Sequence, residues 1–356
     1  MATDDDHVGP GSHELPIRSN PDIESFDIVK TYRRLLADDP DLTMPVAAIE
    51  ALIEALGASS ASTVFETMDL VRAQSERLRR AVRNPVALSH GTDLFQQYLV
   101  LSLKQPGPAS GGKGPTAAAS AGSHENFEVV RQHLMRNGRL FAARAKDARM
   151  KIAEVGRGYI RDNYVIMTHG GSRVVETLLS KAAESLPGDP RRRFKVIHVI
   201  DEARREPSEK VAAALRAQGI PVATISAGAV AYSMSMVDIV LVGAEAVTAN
   251  GGVISAMGTY QMAILAAARK KDFFVAAEQH KFGKTFPLTQ FKLGFQQDII
   301  QFKGSKALES GEDAANPAAA EDPVDYTPPE YITSFFADHG VLLPSAVAKE
   351  VLDFLF

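Results

Sequence analysis

The sequence predicts an α/β protein in which an all-helical N-terminal domain is followed by a Rossmann-like, doubly wound parallel-sheet domain. Two observations support this fold class. Apolar residues recur with a helical period through most of residues 26–158. After Arg161, short apolar runs alternate with helical stretches, which indicates parallel strands with helices on both faces of the sheet. A chain of 356 residues is long enough for two such domains.

Stretches poor in large apolar residues mark the expected domain boundaries. Residues 1–22 are rich in acids and helix breakers, and we expect a disordered tail. The helical domain then covers residues 23–160, interrupted by a flexible insert at 105–122 that consists mainly of Gly, Pro, Ala and Ser. The sheet domain covers residues 161–356, with a second flexible insert at 304–325.

A helix start is predicted within the N-terminal domain. Thr43 stands where an N-cap residue would, and Pro45 follows at an early helical position. Val46, Ile49 and Ile53 then share one face. A later helical region, residues 131–161, is strongly basic, which fits either a solvated face or a docking face for an acidic or phosphorylated protein.

The second half of the chain contains five short apolar runs that we interpret as strands. They are residues 165–168, 195–200, 222–226, 238–243 and 273–277, and the helical stretches among them are 174–185, 209–218 and 257–270. In the common doubly wound orders the first strand lies beside the third or the fourth. The final segment, 331–356, is too apolar for a free tail, so we expect it to dock and to form part of a homodimer interface.

Composition excludes several classes of function. The chain has no cysteine, so disulfides, thiolate metal sites and a cysteine nucleophile are excluded. A net charge of -4 argues against general nucleic-acid binding. No apolar run reaches the roughly 20 residues that a membrane span needs, and the acidic residues 4–6 do not fit a signal peptide. We therefore expect an intracellular, cytoplasmic protein that has no membrane segment.

The first candidate site is the segment "IMTHGGSRVV", residues 166–175, where a strand runs through His169, Gly170, Gly171, Ser172 and Arg173 into a helix. Two glycines allow a ligand to approach the backbone, and the free N–H groups of a helix start attract an anion. A phosphate-binding turn and a tight connection with Ser172 as a capping residue are equally compatible with the residues. His169 is either a general base or a hydrogen-bonded turn residue.

The second candidate is Glu245, after the fourth predicted strand, with the turn of Asn250, Gly251 and Gly252. In a Rossmann-like sheet, Glu245 and His169 would flank the crevice at the switch point of the strand order. They would either exchange protons with a ligand or form a satisfied polar pair that holds two loops. The glycine-rich turn is predicted to close over a small ligand.

Several segments resemble the regulatory subunits of eukaryotic translation initiation factor 2B, in particular the alpha-subunit branch. The resemblance rests on "PDLTMPVAAIEAL" (40–52), "MTHGGSRVV" (167–175), "VGAEAVTANGG" (242–252), "MGTYQMA" (257–263), "FFVAAEQHKF" (273–282) and the segment 324–354. It implies a homodimer that joins sister subunits in the complex exchanging guanine nucleotide on initiation factor 2. It further implies a subunit without chemistry or cofactors, which helps to sense phosphorylation of that factor's alpha subunit.

The same fold is shared by sugar-phosphate isomerases of the methylthioribose-phosphate and ribose-bisphosphate kinds. In that branch a cysteine follows the first strand and an aspartate follows the fourth, where this chain has His169 and Glu245. An Asn-Lys pair of the isomerases is replaced here by Ser255 and Ala256. The resemblance therefore implies an active site that has lost its catalytic groups. The alternatives are an isomerase with an unusual His-Glu pair, and a sensor that binds a sugar or nucleotide phosphate.

The resemblance is most continuous near the predicted helix start, where no catalytic group is expected. Thr43, Met44, Pro45, Ala47 and Ala48 are therefore predicted to form a solvent-facing surface for a partner protein. The acid-rich start of the chain and the basic helical region would orient such a partner.

Overall fold

The computed structural model describes residues 26–39, 42–61, 63–82, 85–104, 124–184, 193–297, 299–300, 302 and 322–355. The predicted tail at 1–22 and the predicted insert at 105–122 lie outside the described residues. Within the described ranges, no helix combines the length and the apolar character needed to cross a membrane.

The N-terminal domain is helical, as predicted. Its helices are α1 (Ile28–Asp38), α2 (Met44–Ala58), α3 (Val64–Ala81), α4 (Val86–Lys104) and α5 (His124–Gly156). Helix α2 is apolar on nearly all sides, and it packs against each of the other four helices. A helix of this composition must be central, and Ile49, Leu52 and Leu56 are accordingly buried in the domain core.

The C-terminal domain is a seven-stranded sheet with the order β3-β2-β1-β4-β7-β9-β10. Its strands are β1 (Val165–His169), β2 (Lys195–Val199), β3 (Val222–Ile225), β4 (Ile239–Gly243), β7 (Asp272–Ala276), β9 (Ser334–Ala337) and β10 (Gly340–Leu342). All neighbouring pairs are parallel except β9 and β10. The first strand lies between the second and the fourth, as a doubly wound fold requires.

Helices cover this sheet, and they are α6 (Arg173–Ala183), α7 (Arg205–Ala217), α8 (Val230–Ser233), α9 (Thr259–Ala268) and α10 (Pro344–Leu355). A small antiparallel sheet of β5 (Ala246–Val247), β6 (Val253–Ala256) and β8 (Val324–Thr327) lies beside it. Most of the predicted flexible insert at 304–325 lies outside the described residues, but the prediction is wrong at its end, where strand β8 begins at Val324. Val324 and Tyr326 are buried in an apolar cluster, and they pair with the side chains of Gln297 and Gln290.

The two domains are in direct contact. Helix α5 packs against α6 and β9 of the sheet domain. On α4, the ring of buried His90 lies 2.8 Å from the carbonyl of Lys281 through Nδ1 and 2.7 Å from Thr285 Oγ1 through Nε2. A side chain at Gly283 would meet the His90 ring at 2.2 Å. This fit holds the helical domain over one edge of the sheet.

The C-terminal segment covers the chain's own sheet. Ile332, Phe335 and Phe336 are buried in the sheet cores, and Val351 of α10 is buried with them. Our argument for a homodimer from the apolar content of residues 331–356 is therefore wrong for these side chains, because they are used within the chain. The homodimer itself stays a prediction.

Candidate functional site

A crevice of about 730 Å³ separates the two domains at the carboxyl ends of β1 and β4. One wall belongs to the sheet domain and includes His169 and Glu245, together with the turn after β1. The other wall belongs to the helical domain and includes Tyr32 of α1 and Thr43, which precedes α2. Ligands of open α/β sheets bind outside the carboxyl ends of the strands, so this crevice is the candidate site.

The turn after β1, residues 170–172, brings backbone to the crevice surface. Gly170 has a φ of +70°, a left-handed conformation that favours glycine. A side chain at Gly171 would meet Cβ of Pro207 at 2.7 Å. Ser172 occupies the N-cap position of α6, but its side chain makes no capping hydrogen bond. The turn thus leaves the first N–H groups of α6 without a side-chain cap, as an anion site requires.

Arg173 connects this turn to the helical domain. Its Nη1 and Nη2 both donate to the carbonyl oxygen of Leu42, each at 3.3 Å. Leu42 immediately precedes Thr43 on the opposite wall. The guanidinium therefore serves the contact between the domains as well as the charge of the crevice.

His169 ends β1 and is buried in the sheet-domain wall. Its Nδ1 lies 3.3 Å from Thr259 Oγ1, which itself donates to the carbonyl of Ala256 at 2.7 Å. Burial lowers the pKa of His169 to about 4, and Arg204 adds to this shift although Asp201 opposes it. The imidazole is therefore neutral near pH 7, where it can accept or donate a hydrogen bond but carries no charge.

Arg204 pairs with the carboxylates of the sheet-domain wall. Its Nη1 lies 2.5 Å from Glu245 Oε1, and its Nε lies 3.0 Å from Asp201 Oδ2. Burial would lower the pKa of Arg204, but the charges of Glu245 and Asp201 raise it above the usual value. Glu245 is thus paired with Arg204, and the pairing of His169 with Glu245 stays a prediction.

Sequence reasoning missed both Arg204 and Asp201. The signal that could have found them is their place in "DEARR", directly after β2, because β2 neighbours β1 and its carboxyl end opens on the same crevice. Polar residues at the ends of adjacent parallel strands meet at one edge of the sheet.

A second charged group lies where α5 meets the sheet domain, and it borders the same crevice. Fully buried Glu278 lies 2.7 Å from Lys281 Nζ and 3.8 Å from Arg149 Nε of α5. Burial alone would raise the pKa of Glu278, but the charges of Lys281 and His280 hold it at about 2. This carboxylate is permanently ionised, so it anchors cations and does not transfer protons near pH 7.

Asp325 is another functional candidate that the sequence did not reveal. Its Oδ2 accepts hydrogen bonds from the N–H groups of Gly258 (2.7 Å) and Tyr260 (3.0 Å) at the start of α9. Burial raises the pKa of Asp325 to about 7 against these bonds, and the charge of Glu245 adds to the rise. Asp325 therefore supports α9, which contributes Thr259 to the crevice.

The turn of Asn250, Gly251 and Gly252 does not close over the crevice, so that prediction is wrong. The amide of Asn250 donates to Tyr326 Oη at 2.6 Å. A side chain at Gly251 would meet the carbonyl oxygen of Pro344 at 2.3 Å. The turn is packed between β8 and α10, and its glycines serve that packing.

The residues predicted to face a partner are also not solvent-facing. Thr43 is only 8% exposed, and Pro45, Ala47 and Ala48 are buried, while Met44 is half-buried. The reason is the central position of α2, whose first turn is covered by the crevice wall and the domain core. Thr43 stands at the N-cap but makes no capping hydrogen bond.

Within the described part of the chain, no cluster of three or more His, Cys, Asp or Glu side chains is arranged to hold a metal ion.

Comparisons with known proteins place this chain in a family. The model of the "Initiation factor 2 subunit family" matches residues 37–344. A protein named translation initiation factor eIF2B subunit alpha from Dictyostelium discoideum is 33% identical over 92% of this chain and 97% of its own. A protein of the same name from Caenorhabditis elegans is 28% identical over 91% of this chain and 97% of its own. A ribose 1,5-bisphosphate isomerase from Archaeoglobus fulgidus is 32% identical over 62% of this chain and 67% of its own.

Solved structures agree on the fold. A chain of the tetrameric eIF2B-beta2-delta2 complex from C. thermophilum matches with a TM-score of 0.66 at 20% identity, over 93% of this chain and 94% of its own. The Pyrococcus horikoshii OT3 translation initiation factor eIF-2B matches with a TM-score of 0.63 at 20% identity, over 93% of this chain and 98% of its own. The helical domain, the parallel sheet and the matched residues together mean that this chain belongs to the initiation factor 2 subunit family.

Proposed function

We propose that the chain is a regulatory and scaffolding subunit of the complex that exchanges guanine nucleotide on translation initiation factor 2, and that it performs no chemistry itself. The observation that carries the proposal is the match to alpha subunits along nearly the whole of both chains. In this role the chain binds its sister subunits, forms a homodimer and helps to sense phosphorylation of the factor's alpha subunit.

The pairing of the crevice carboxylates supports a role without catalysis. An isomerase needs a base and an acid that can exchange protons with a bound sugar. Here the carboxylate of Glu245 is held by Arg204 at 2.5 Å, and His169 is buried and neutral. The ion pair occupies Oε1 of Glu245, so a bound sugar would have to compete with Arg204 for that oxygen.

We further propose that the crevice retains a binding function for a phosphate-bearing metabolite. The start of α6 without a side-chain cap and the glycine turn form an anion site, and Arg173 contributes positive charge beside it. A sugar or nucleotide phosphate that binds there would regulate the subunit and would not be converted.

The test of the proposed function is reconstitution. The purified chain is mixed with the sister subunits of the same organism, and guanine-nucleotide release from initiation factor 2 is followed with and without phosphorylation of the factor's alpha subunit. We expect the chain to enter the complex and to strengthen the inhibition caused by the phosphorylated factor. A chain that fails to assemble with its sister subunits, or that leaves this inhibition unchanged, would contradict the proposal.

A further inference from the structure

A second cavity, of about 710 Å³, lies on the helical domain, and it shares no lining residue with the crevice. Its walls come mainly from residues 50–58 of α2 and residues 135–146 of α5, and we call it the α2–α5 groove. Its floor is apolar, with Ile53 and Ala142 buried and Met135 half-buried. The groove is therefore an apolar surface that the described part of the helical domain leaves uncovered.

Two glycines bring α2 and α5 close together at the floor of the groove. A side chain at Gly57 would meet Met135 Cε at 3.1 Å, and one at Gly138 would meet Ile53 Cγ1 at 3.0 Å. Contacts this close leave little freedom for either helix to shift. The shape of the α2–α5 groove is thus set by the packing of the two helices.

The charges along the rim of the groove are unequally paired. Lys146 Nζ lies 2.8 Å from Glu50 Oε1, and Arg34 Nη2 of α1 lies 2.8 Å from Glu54 Oε2. Arg139 also lines the groove and is exposed, but it makes no ion pair among the residues that the structure describes. An apolar floor beside an unpaired cation suits a segment that carries large apolar side chains together with acids.

The chain enters the helical domain at this groove. Phe26 lines the groove and is the first residue that the structure describes. Its carbonyl oxygen accepts a hydrogen bond from Arg77 Nη1 at 3.0 Å, and Asp27 caps the start of α1. Residues 1–25 are therefore attached at a fixed point in the groove. Ten residues span up to about 33 Å when extended, whereas α2 has 15 residues and is about 22 Å long.

Of the three longest segments outside the described residues, the N-terminal one has the composition that the groove requires. Residues 1–25 contain Leu15 and Ile17 among their apolar residues, with six acids and one arginine. The segment 105–123, which joins α4 to α5, contains no acid and no large apolar residue. Residues 303–321 contain acids, but both ends of that segment belong to the sheet domain. Charge and position therefore favour the N-terminal segment as the occupant.

We infer that the N-terminal segment, residues 1–25, folds back into the α2–α5 groove, with Leu15 and Ile17 on the apolar floor and its acids beside Arg139. Low apolar content predicts disorder for such a segment on its own, and the groove supplies the apolar surface that the segment lacks. The attachment at Phe26 favours this contact, because a short tether gives a roughly millimolar effective concentration. The groove is then closed to other proteins until the segment is displaced. This inference goes beyond the proposed function, since neither subunit assembly nor metabolite binding requires it.

A single tryptophan in the N-terminal segment tests the docking, because the natural chain has no tryptophan. Ile17→Trp is made in the full chain, and acrylamide quenching of its fluorescence is compared with that of a synthetic peptide of residues 1–25 with the same change. We expect quenching in the full chain to be weaker by about 3-fold or more, which corresponds to a segment docked about two thirds of the time. Arg139→Glu, added to this chain, should restore quenching to nearly the value of the peptide, because it repels the acids of the segment.

The matched control is Arg144→Glu. Arg144 lies on the same helix and is exposed, but it does not line the groove, so its reversal should leave the quenching unchanged. Equal quenching of the full chain and the free peptide would overturn the inference. Protection that survives Arg139→Glu would also overturn it, since the segment would then contact another surface. Protection that is lost on dilution would overturn docking within one chain, since a second copy would then supply the segment.

Limited digestion with trypsin tests the natural segment without a change in it. Arg18 is the one lysine or arginine among residues 1–25, so cleavage after it releases one defined peptide. The rate of cleavage follows the undocked fraction when docking is fast. We expect Arg139→Glu to accelerate this cleavage by about 3-fold or more, and Arg144→Glu to leave it unchanged. Equal rates in the natural chain and the Arg139 variant would overturn the docking.

Discussion

The two walls of the crevice differ in how their polar groups are satisfied. On the sheet-domain wall, the guanidinium of Arg204 pairs with the carboxylates of Asp201 and Glu245. On the helical-domain wall, the hydroxyls of Tyr32 and Thr43 make no hydrogen bond among the residues that the structure describes. The two walls thus differ in that ion pairs join the polar side chains of one, whereas two buried hydroxyls of the other are left without a hydrogen bond within the described part of the chain.

The largest loss of stability is expected on removal of the Arg204 guanidinium from the sheet-domain wall. Arg204→Met should lower the free energy of unfolding by about 2–4 kcal/mol, because it removes the guanidinium that pairs with the carboxylates of Asp201 and Glu245. The lower part of this range is expected, since 26% of the Arg204 side chain is exposed and solvent screens part of the loss. Urea denaturation at pH 7 measures the effect.

The matched control is Arg205→Met, on the next residue. The Arg205 side chain is more than half exposed and, among the residues that the structure describes, pairs with the exposed carboxylates of Glu202 and Glu209, so we expect no measurable loss. Equal stability of the Arg204 and Arg205 variants would mean that the ion pairs of Arg204 with Asp201 and Glu245 do not stabilise the sheet-domain wall.

Asp325 supports the start of α9, and its burial should make the stability of the fold depend on pH. Its folded-state pKa of about 7 exceeds the ordinary value of 3.8, so its contribution to stability is complete below pH 3.8 and is lost as the pH rises to 7. Asp325→Asn stays neutral throughout. The variant should match the natural chain at pH 4 and exceed its unfolding free energy by about 1–3 kcal/mol at pH 8. A difference that does not depend on pH would contradict the burial of an ionisable acid at this position.

Buried histidines on the sheet-domain side should make the fold sensitive to mild acid. Burial lowers the folded-state pKa of His169, His198 and His280 to about 4 from 6.5. Their contribution to stability is therefore present above pH 6.5 and is lost as the pH falls toward 4. His169→Gln should reduce this loss by about 1 kcal/mol per pH unit. Urea midpoints between pH 7.5 and 4.5 measure the slope, and an unchanged slope would show that His169 charges freely in the folded chain.

The smallest expected effect is at Asn250, which lies outside the crevice. Asn250→Ala removes the bond to Tyr326 Oη and should cost about 1 kcal/mol of stability. It should change the affinity for ribose 5-phosphate by less than about 2-fold, which is within the range expected of a residue that makes no ligand contact. A larger loss of affinity would restore the predicted role of this turn.

The sequence was sufficient for the class of fold and for part of the sheet-domain wall. The spacing of apolar residues reports burial within one element. His169 ends β1 and Glu245 lies two residues after β4, and neighbouring strand ends open on the same crevice in a doubly wound sheet. The turn after β1 was found because glycines and a helix start are adjacent in sequence. Arg204 was missed because its partners come from two different strand ends.

The helical-domain wall could not be predicted, because it depends on packing between domains. Tyr32 and Thr43 belong to different elements, and nothing in either segment indicates that both line the same cavity. The segment at 43–48 was taken for an exposed surface, whereas α2 is surrounded by four other helices. The prediction that the turn of residues 250–252 closes over a ligand failed for a related reason. In a sequence, glycines required for close packing look the same as glycines that let a ligand approach the backbone.

The most direct test of the central claim is incubation of the purified chain with ribose 1,5-bisphosphate, followed by phosphorus NMR. We expect the phosphorus resonances of ribose 1,5-bisphosphate to shift or broaden on binding. We expect no isomerised product to accumulate over hours at micromolar protein. Conversion of the bisphosphate at about 1 per second or faster, an ordinary enzymatic rate, would contradict the claim that this chain performs no chemistry. It would mean that the pairing of Glu245 with Arg204 leaves a working active site in this chain.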